Sequence, residues 1–159
     1  MVLAWIKNAI KRRSLTHSGR QYWRRKEYEK AIKCYEAVLC LDLSFKRKDH
    51  RHVAEDYDNI GIGYRGLGDY DRAIEYYLKA IDILERVSPD HILLPSPYNH
   101  IGIAYRYKGN YKLAAEYHEK ALRIQRMWAG PFVSTVTRTT ATLLAAARTE
   151  LERHGHNRD

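Results

Sequence analysis

Two stretches of the chain, residues 59–80 and 100–121, have nearly the same sequence. The first reads N-I-G-I-G-Y-R-G-L-G-D-Y-D-R-A-I-E-Y-Y-L-K-A, and the second reads H-I-G-I-A-Y-R-Y-K-G-N-Y-K-L-A-A-E-Y-H-E-K-A. The second copy follows the first by 41 residues without a gap, so that Tyr64 recurs as Tyr105. Self-similarity at a period of roughly 20 to 50 residues is the signature of a repeat protein. The sequence therefore predicts similar units stacked on one another.

Each copy is predicted to form two helices joined by a tight turn. From Tyr57 to Leu67, apolar or small residues recur every three or four positions, which is typical of one face of a helix. Gly68 and Asp69 interrupt this pattern, and the same spacing returns after them. Because a connection this short leaves no room for a crossover, the two helices must run antiparallel.

Small residues predict close contact between the two helices of a copy. Glycine inside a helix costs about 1 kcal/mol relative to alanine, yet Gly61 and Gly102 hold the same place in both copies. We expect four alanines of the second helices to face these glycines, with tyrosines filling the surrounding space: Ala73, Ala80, Ala114 and Ala121.

The order G-x-x-Y-x-x-x-G-x-Y-x-x-A-x-x-x-Y/H-x-x-A resembles the tetratricopeptide repeat. The matching residues are Gly61, Tyr64, Gly68, Tyr70, Ala73, Tyr77 and Ala80 in one copy, and Gly102, Tyr105, Gly109, Tyr111, Ala114, His118 and Ala121 in the other. The usual repeat has about 34 residues; the longer period, with Y-D-N-I-G or Y-N-H-I-G at the start of each unit, is similar to the repeats of kinesin light chains. The resemblance implies an all-α fold, an α-solenoid of antiparallel helix pairs with about three repeats and terminal capping helices.

A degenerate repeat precedes the first of the two clear ones by 42 residues. Gly19 matches Gly61 and Tyr28 matches Tyr70, but Lys26 replaces the turn glycine. We therefore predict one domain over residues 1–159. Its parts are an N-terminal basic amphipathic helix at 1–13, degenerate repeat 1 at 14–41, repeat 2 at 53–87, repeat 3 at 95–128 and a C-terminal capping helix at 131–153.

Positive charge is concentrated at the beginning of the chain. The formal net charge is +9, and residues 1–26 contain eight Lys or Arg and no acid. Residues 1–13 also place apolar side chains on one helical face, which leaves three interpretations open. The helix covers the first repeat, as terminal elements of solenoids do; it lies on an anionic membrane surface; or it is a mitochondrial transit peptide. The basic stretch continues into repeat 1, which counts against a cleaved peptide.

The sequence contains no motif that predicts an enzyme, a cofactor or a metal site. Residues 61–66 match the dinucleotide fingerprint G-x-G-x-x-G, but the preceding residues 52–59 are too polar for the buried strand that such a site requires. Two H-x-H pairs have no thiolate or carboxylate partner at a spacing that would complete a metal site.

Two cysteines and the absence of a long apolar run indicate the compartment. Cys34 and Cys40 lie six residues apart and fit no disulfide framework. We interpret them as small buried residues of a cytoplasmic protein. No apolar run approaches the roughly 20 residues of a membrane span.

The resemblance implies that the binding surface is the concave face, which the first helix of each repeat lines. The predicted contact residues are Arg20, Trp23, Arg24, Asp58, Asn59, Ile62, Arg65, Asn99, His100, Ile103, Arg106 and Tyr107. Asparagine can pair with both polar groups of an extended backbone, and arginine can hold a carboxylate through two hydrogen bonds. The predicted function is a non-enzymatic interaction module that binds an acidic peptide segment of a partner protein in this groove.

Two alternatives stay open at this level. The N-terminal charge, with Trp23 and Tyr107 as stacking surfaces, is also typical of a basic RNA-binding repeat domain. Arg65 and Arg106 could instead bridge acidic side chains of neighbouring helices and have no role in binding.

Overall fold

The computed structural model describes residues 2–44, 50–129 and 135–155. Within these ranges the chain forms seven α-helices and no strand. The helices are α1 (Val2–Arg24), α2 (Tyr28–Ser44), α3 (His50–Gly66), α4 (Tyr70–Val87), α5 (Pro95–Tyr107), α6 (Tyr111–Ala129) and α7 (Thr135–Gly155). The predicted all-α fold is confirmed. The chain divides into two compact units, Met1–Ile83 and Leu84–Asp159.

The first helix of unit 1 is longer than predicted. The N-terminal helix expected at residues 1–13 and the first helix of repeat 1 are one uninterrupted helix, Val2–Arg24. No glycine or proline occurs between Val2 and Ser18, so nothing in the backbone separates the two segments. Met1, and the first four residues of the capping helix predicted at 131–153, lie outside the described residues.

The turn within each helix pair has the same geometry three times. The second residue after the first helix has a positive φ: 60° at Lys26, 80° at Gly68 and 76° at Gly109. The next N–H donates to the carbonyl five residues earlier, as from Asp69 to Tyr64 at 3.0 Å and from Asn110 to Tyr105 at 2.9 Å. This bond identifies a Schellman motif, which closes a helix at a left-handed residue.

In two of these turns a side chain also caps the start of the second helix. The Asp69 carboxylate accepts the Arg72 N–H at 3.0 Å, and the Asn110 side chain accepts the Leu113 N–H at 3.2 Å. An Asp or Asn side chain at this place satisfies an N–H that has no partner inside the helix. The predicted helix–turn–helix unit is confirmed in atomic detail.

Aromatic rings fill the space beside the repeated glycines. A Cβ built on Gly61 would lie 2.5 Å from the Tyr77 ring, and one on Gly102 would lie 2.6 Å from the His118 ring. Both rings are fully buried. The expectation that aromatic side chains fill this space thus holds at Gly61, while at Gly102 a histidine takes the place of the tyrosine.

The other two glycines of the G-x-G-x-x-G stretch bring α3 close to α2. A Cβ on Gly63 would lie 2.4 Å from Ile32, and one on Gly66 would lie 2.4 Å from Tyr28. Ile32 belongs to the core of unit 1. The fingerprint spacing thus arises from close packing of helices on two sides of α3.

One arginine connects the first three helices. The Arg12 Nε donates to both carboxylate oxygens of Asp42, at 3.0 and 2.8 Å. Its Nη2 lies 3.7 Å from Asp56, which is only 2% exposed. Burial and the neighbouring Asp42 carboxylate raise the pKa of Asp56 well above the usual carboxyl range. Arg12 thus faces two buried carboxyl groups from two other helices.

A row of three tyrosines recurs in both units. In unit 1 the Tyr76 ring lies 5.3 Å from Tyr64 and 6.2 Å from Tyr57, and the Lys79 ammonium lies 4.5 Å from the Tyr76 centroid. The residues 41 positions later repeat this arrangement in unit 2, with Tyr117 between Tyr105 and Tyr98 and with Lys120 over Tyr117. The tyrosines therefore support each helix pair from one side.

The two cysteines do not share the burial that we predicted. Cys34 is half-buried, and Cys40 is exposed. Six residues correspond to about 240° around a helix, so the two side chains cannot both face the core. Burial raises the pKa of the Cys34 thiol. Separately, none of the described helices has an apolar stretch long enough to cross a membrane.

Candidate peptide-binding site

Three of the predicted contact residues lie on the C-terminal half of α1. Arg20, Trp23 and Arg24 are all exposed, with 39% of Trp23 accessible. Arg20 is close enough to the buried Tyr35 for its charge to oppose the rise that burial causes in the pKa of that tyrosine.

The four predicted residues of α3 form one half-buried strip in unit 1. Asn59, Ile62 and Arg65 are each three residues apart, and Asp58 lies four residues before Ile62, so all four lie on one side of the helix. Arg65 is next to the Tyr77 hydroxyl: burial raises the pKa of Tyr77, and Arg65 lowers it by a smaller amount. The Arg65 Nε is buried without a hydrogen-bond partner in the described chain.

The equivalent strip in unit 2 lies on α5. Asn99, His100, Ile103 and Arg106 are half-buried, and Tyr107 is 60% exposed. The Arg106 guanidinium lies 5.7 Å from the centre of the Tyr107 ring. Arg106 also acts on His118. Burial, and to a lesser extent the positive charge of Arg106, lowers the pKa of His118 to about 4.

Arg65 and Arg106 have closely similar surroundings in the two units. Each is next to the ring that fills the gap beside a glycine, Tyr77 in one unit and His118 in the other. Neither arginine forms an ion pair with another described residue. The alternative in which they bridge acidic side chains is therefore not seen within the ranges that the structure describes.

Asn99 belongs to a directed chain of hydrogen bonds inside unit 2. Its amide nitrogen donates to the Thr140 hydroxyl at 2.8 Å, and that hydroxyl donates to the Val136 carbonyl at 3.2 Å. The Asn99 amide oxygen lies 3.1 Å from His118 Nδ1. Because the pKa of His118 is low, its ring is neutral near pH 7 and carries the proton on Nδ1 for this bond. Both ends of the Asn99 amide thus already have partners.

An open cleft of about 380 Å³ adjoins this strip in unit 2. Its apolar walls include Ile92, Leu93, Pro95 and Val136, and its polar groups come from Ser96, Asn99, His100 and Gln125. The Gln125 side chain is buried, and its amide oxygen has no hydrogen-bond partner among the described residues. The cleft therefore offers apolar walls beside polar side chains of α5, a combination that suits an apolar side chain of a ligand.

Sequence reasoning missed the residues that form this cleft apart from Asn99 and His100. Ile92 and Gln125 lie outside the repeated first helices, so the repeat pattern gave no signal for them. Thr140 could have been found, since it follows Asn99 by one repeat period of 41 residues. In the described chain, no cluster of three or more His, Cys, Asp or Glu is placed to hold a metal ion.

Comparison with solved structures shows the same fold in several proteins. The crystal structure of BtubC (BKLC) from P. vanneervenii has a TM-score of 0.77 at 22% identity, over 87% of this chain and 55% of that one. The nearly identical TPR-like repeats of a putative kinesin light chain from Podosopora anserina give 0.75 at 19%, over 87% and 65%. The Sgt2 TPR domain from Aspergillus fumigatus gives 0.68 at 21%, over 91% and 82%. This likeness confirms the predicted α-solenoid class and the similarity to kinesin light chain repeats.

Sequence comparison leads to the same family. Comparison with curated proteins gave no match. The profile of the tetratricopeptide repeat matches residues 12–86 and 57–127, two overlapping stretches that together cover most of the chain. With the three Schellman turns and the glycines that admit a ring, this match shows that the chain belongs to the tetratricopeptide repeat family.

Proposed function

We propose that the chain is a cytoplasmic, non-enzymatic interaction module that binds an extended, acidic segment of another protein. Tetratricopeptide repeats typically serve as scaffolds for contacts between proteins. The proposed contact residues are the α1, α3 and α5 residues described above, with the cleft beside Asn99 and His100 receiving an apolar side chain of the segment.

One observation carries the acidic character of this segment. Arg65 and Arg106 hold equivalent places in two repeats, are half-buried and have no ion-pair partner among the described residues. A partly desolvated guanidinium without an anion is unfavourable, and a carboxylate would satisfy its planar fork with two hydrogen bonds. Ile62 and Ile103, on the same helix sides, supply the apolar contact that such a segment also needs.

Selection from a displayed library of random peptides tests this function. We expect the wild-type chain to enrich peptides that carry Asp or Glu near an apolar residue. Arg106→Ala should keep the fold and weaken binding of the selected peptide by about 2 kcal/mol, roughly thirtyfold. Arg106→Lys should recover part of this loss, because lysine keeps the charge but not the fork.

Arg126→Ala is the matched control, since Arg126 is an exposed arginine of α6 without an ion pair in the described chain. It should bind the selected peptide like the wild type. If the Arg65→Ala, Arg106→Ala double variant selects the same acidic peptides with unchanged affinity, the proposed groove is wrong.

The exposed rings of Trp23 and Tyr107 favour RNA as a second candidate ligand. Salt titration separates the two functions. RNA binding through phosphates weakens steeply and linearly in a log–log plot against salt, whereas binding through an apolar anchor and two arginines changes much less. A steep slope with a homopolymeric RNA, lost in Tyr107→Ala, would support the second function.

A further inference from the structure

One exposed side of α1 carries two aliphatic side chains with basic side chains around them. Ile6 and Ile10 lie one turn apart and are 40% and 64% exposed. Lys7, Lys11 and Arg13 are exposed, and none of them forms an ion pair with another described residue. Residues three or four positions apart lie above one another on a helix, so Arg13 continues the Ile6–Ile10 side while the two lysines border it. We call this surface, formed by Ile6, Lys7, Ile10, Lys11 and Arg13, the α1 outer face.

The rotation of α1 about its own axis keeps the α1 outer face directed away from α2. Arg12 points in a different direction, where its bonds to Asp42 fix it to α2. Gly19, on the Arg12 side of the helix, is buried, and its Cβ position is 2.7 Å from the Tyr35 ring. Since these contacts fix the rotation of the helix, the two isoleucines cannot turn inward without breaking them.

We propose that the α1 outer face binds the surface of an anionic lipid membrane. A helix with aliphatic residues flanked by Lys and Arg lies in the interface, with its apolar side chains at the boundary between headgroups and acyl chains. The long basic side chains extend from there to lipid phosphates and carboxylates. None of these five residues is among the proposed peptide-contact residues.

Charge and side-chain type favour a membrane over the other occupants. A second copy of the chain would bring the same cations face to face, and residues 1–26 contain no acid to pair with them. Nucleic acid would use the cations but would gain little from isoleucine, because bases stack on aromatic side chains. Only a membrane uses the aliphatic and the cationic parts of the face together.

Co-sedimentation of the full chain with vesicles tests the proposal. We expect binding to vesicles of phosphatidylcholine and phosphatidylserine, and little binding to phosphatidylcholine vesicles without the anionic lipid. The double variant Ile6→Gln, Ile10→Gln should weaken vesicle binding by about tenfold or more. The triple variant Lys7→Gln, Lys11→Gln, Arg13→Gln should weaken it as well, with each lost cation contributing a factor of roughly five. All five side chains are exposed, so the fold should persist, as thermal unfolding can check.

Two matched controls make the test decisive. Lys33→Gln, Lys112→Gln and Arg126→Gln remove the same charge from other exposed sites, and Leu78→Gln with Val87→Gln removes exposed apolar groups from α4. Both control sets should bind vesicles nearly as the wild type does. Equal losses in control and test variants would show diffuse attraction and overturn the site. Unaltered vesicle binding in the isoleucine variant would also overturn the site. So would a chain that binds RNA but not vesicles, or one that self-associates through contacts that the isoleucine variant abolishes.

Discussion

Lys26, Gly68 and Gly109 occupy the same position of the same turn, and only the lysine has a Cβ there. All three have positive φ, between 60° and 80°. For an L residue with a side chain, this left-handed conformation costs roughly 1–2 kcal/mol. The turn at Lys26 forms nevertheless, since the Glu27 N–H donates to the Tyr22 carbonyl at 2.9 Å as in the other two turns. The surrounding helix packing therefore imposes a conformation that the residue itself disfavours.

Lys26→Gly should therefore stabilise the chain. We expect a gain of about 0.5–1 kcal/mol, because relief of the strained backbone exceeds the extra flexibility of glycine in the unfolded chain. Urea unfolding measures the change. Gly109→Ala is the reciprocal control and should destabilise by a similar amount, since a Cβ there meets no neighbouring atom but does meet the backbone strain. A loss of stability in Lys26→Gly would mean that the lysine side chain makes a contribution that the turn geometry does not reveal.

Single residues were predicted well where the repeat fixes the backbone and poorly where it leaves a choice of partner. The positions of Gly61 and Gly68 follow from the period, and the structure gives both the expected backbone roles. Which ring approaches Gly61 did not follow, because Tyr77 and the alanines of α4 are both compatible with the helical spacing. Asn99 was predicted as a contact residue, but its bonds to His118 of α6 and Thr140 of α7 were not, because the repeat period does not specify which side chains meet across helices.

At the scale of helices, one guanidinium group joins α1 to both α2 and α3. Arg12 bonds Asp42 of α2 and approaches Asp56 of α3, and the two carboxyl side chains are almost completely buried. Neither acid could be paired with Arg12 from the sequence, since 30 and 44 positions separate them from it and the repeat pattern does not include any of the three. The helices themselves were predictable from their periodicity, but the ionic group that joins them was not.

Removing this arginine should be much more harmful than removing its neighbour. Arg12→Ala leaves two buried carboxyl groups without a cation, and we expect a loss of about 3 kcal/mol or more. Arg13→Ala, one residue away and exposed, should stay within about 0.5 kcal/mol of the wild type. Circular dichroism during urea unfolding gives both values. Similar stabilities for the two variants would show that the Arg12 cluster contributes little to holding α1.

At the scale of the whole molecule, two buried groups, one in each unit, change the stability of the chain with pH in opposite directions. The pKa of Asp56 in unit 1 is raised, chiefly by burial, so its contribution to stability is complete below about pH 4 and is lost as pH rises through the raised pKa. The pKa of His118 in unit 2 is lowered to about 4 by burial, so its contribution is complete above about pH 6.5 and is lost as pH falls toward 4. The two effects partly cancel between these limits.

Two substitutions should separate the contributions of Asp56 and His118 to the pH dependence of stability. Asp56 makes the free energy of unfolding fall as pH rises, because its pKa is higher in the folded than in the unfolded chain. In Asp56→Asn this fall is absent, so the free energy of unfolding should rise more steeply than that of the wild type from about pH 4 to 6.5. His118→Gln should show the reverse, a fall across the same range. Urea unfolding at several pH values measures both curves. Parallel curves for the wild type and both variants would mean that neither group titrates differently in the folded and unfolded chains.

The hydrogen bonds of Asn99 determine where the chain can be cut. A fragment trimmed to the family match, residues 12–127, would begin in the middle of α1 and lack α7 entirely. Its Asn99 amide would lose Thr140, and the apolar side of α6 that packs on Leu144 and Ala147 would be open to water. Aggregation or poor yield of such a fragment would therefore reflect the position of the cuts and not the quality of the repeats.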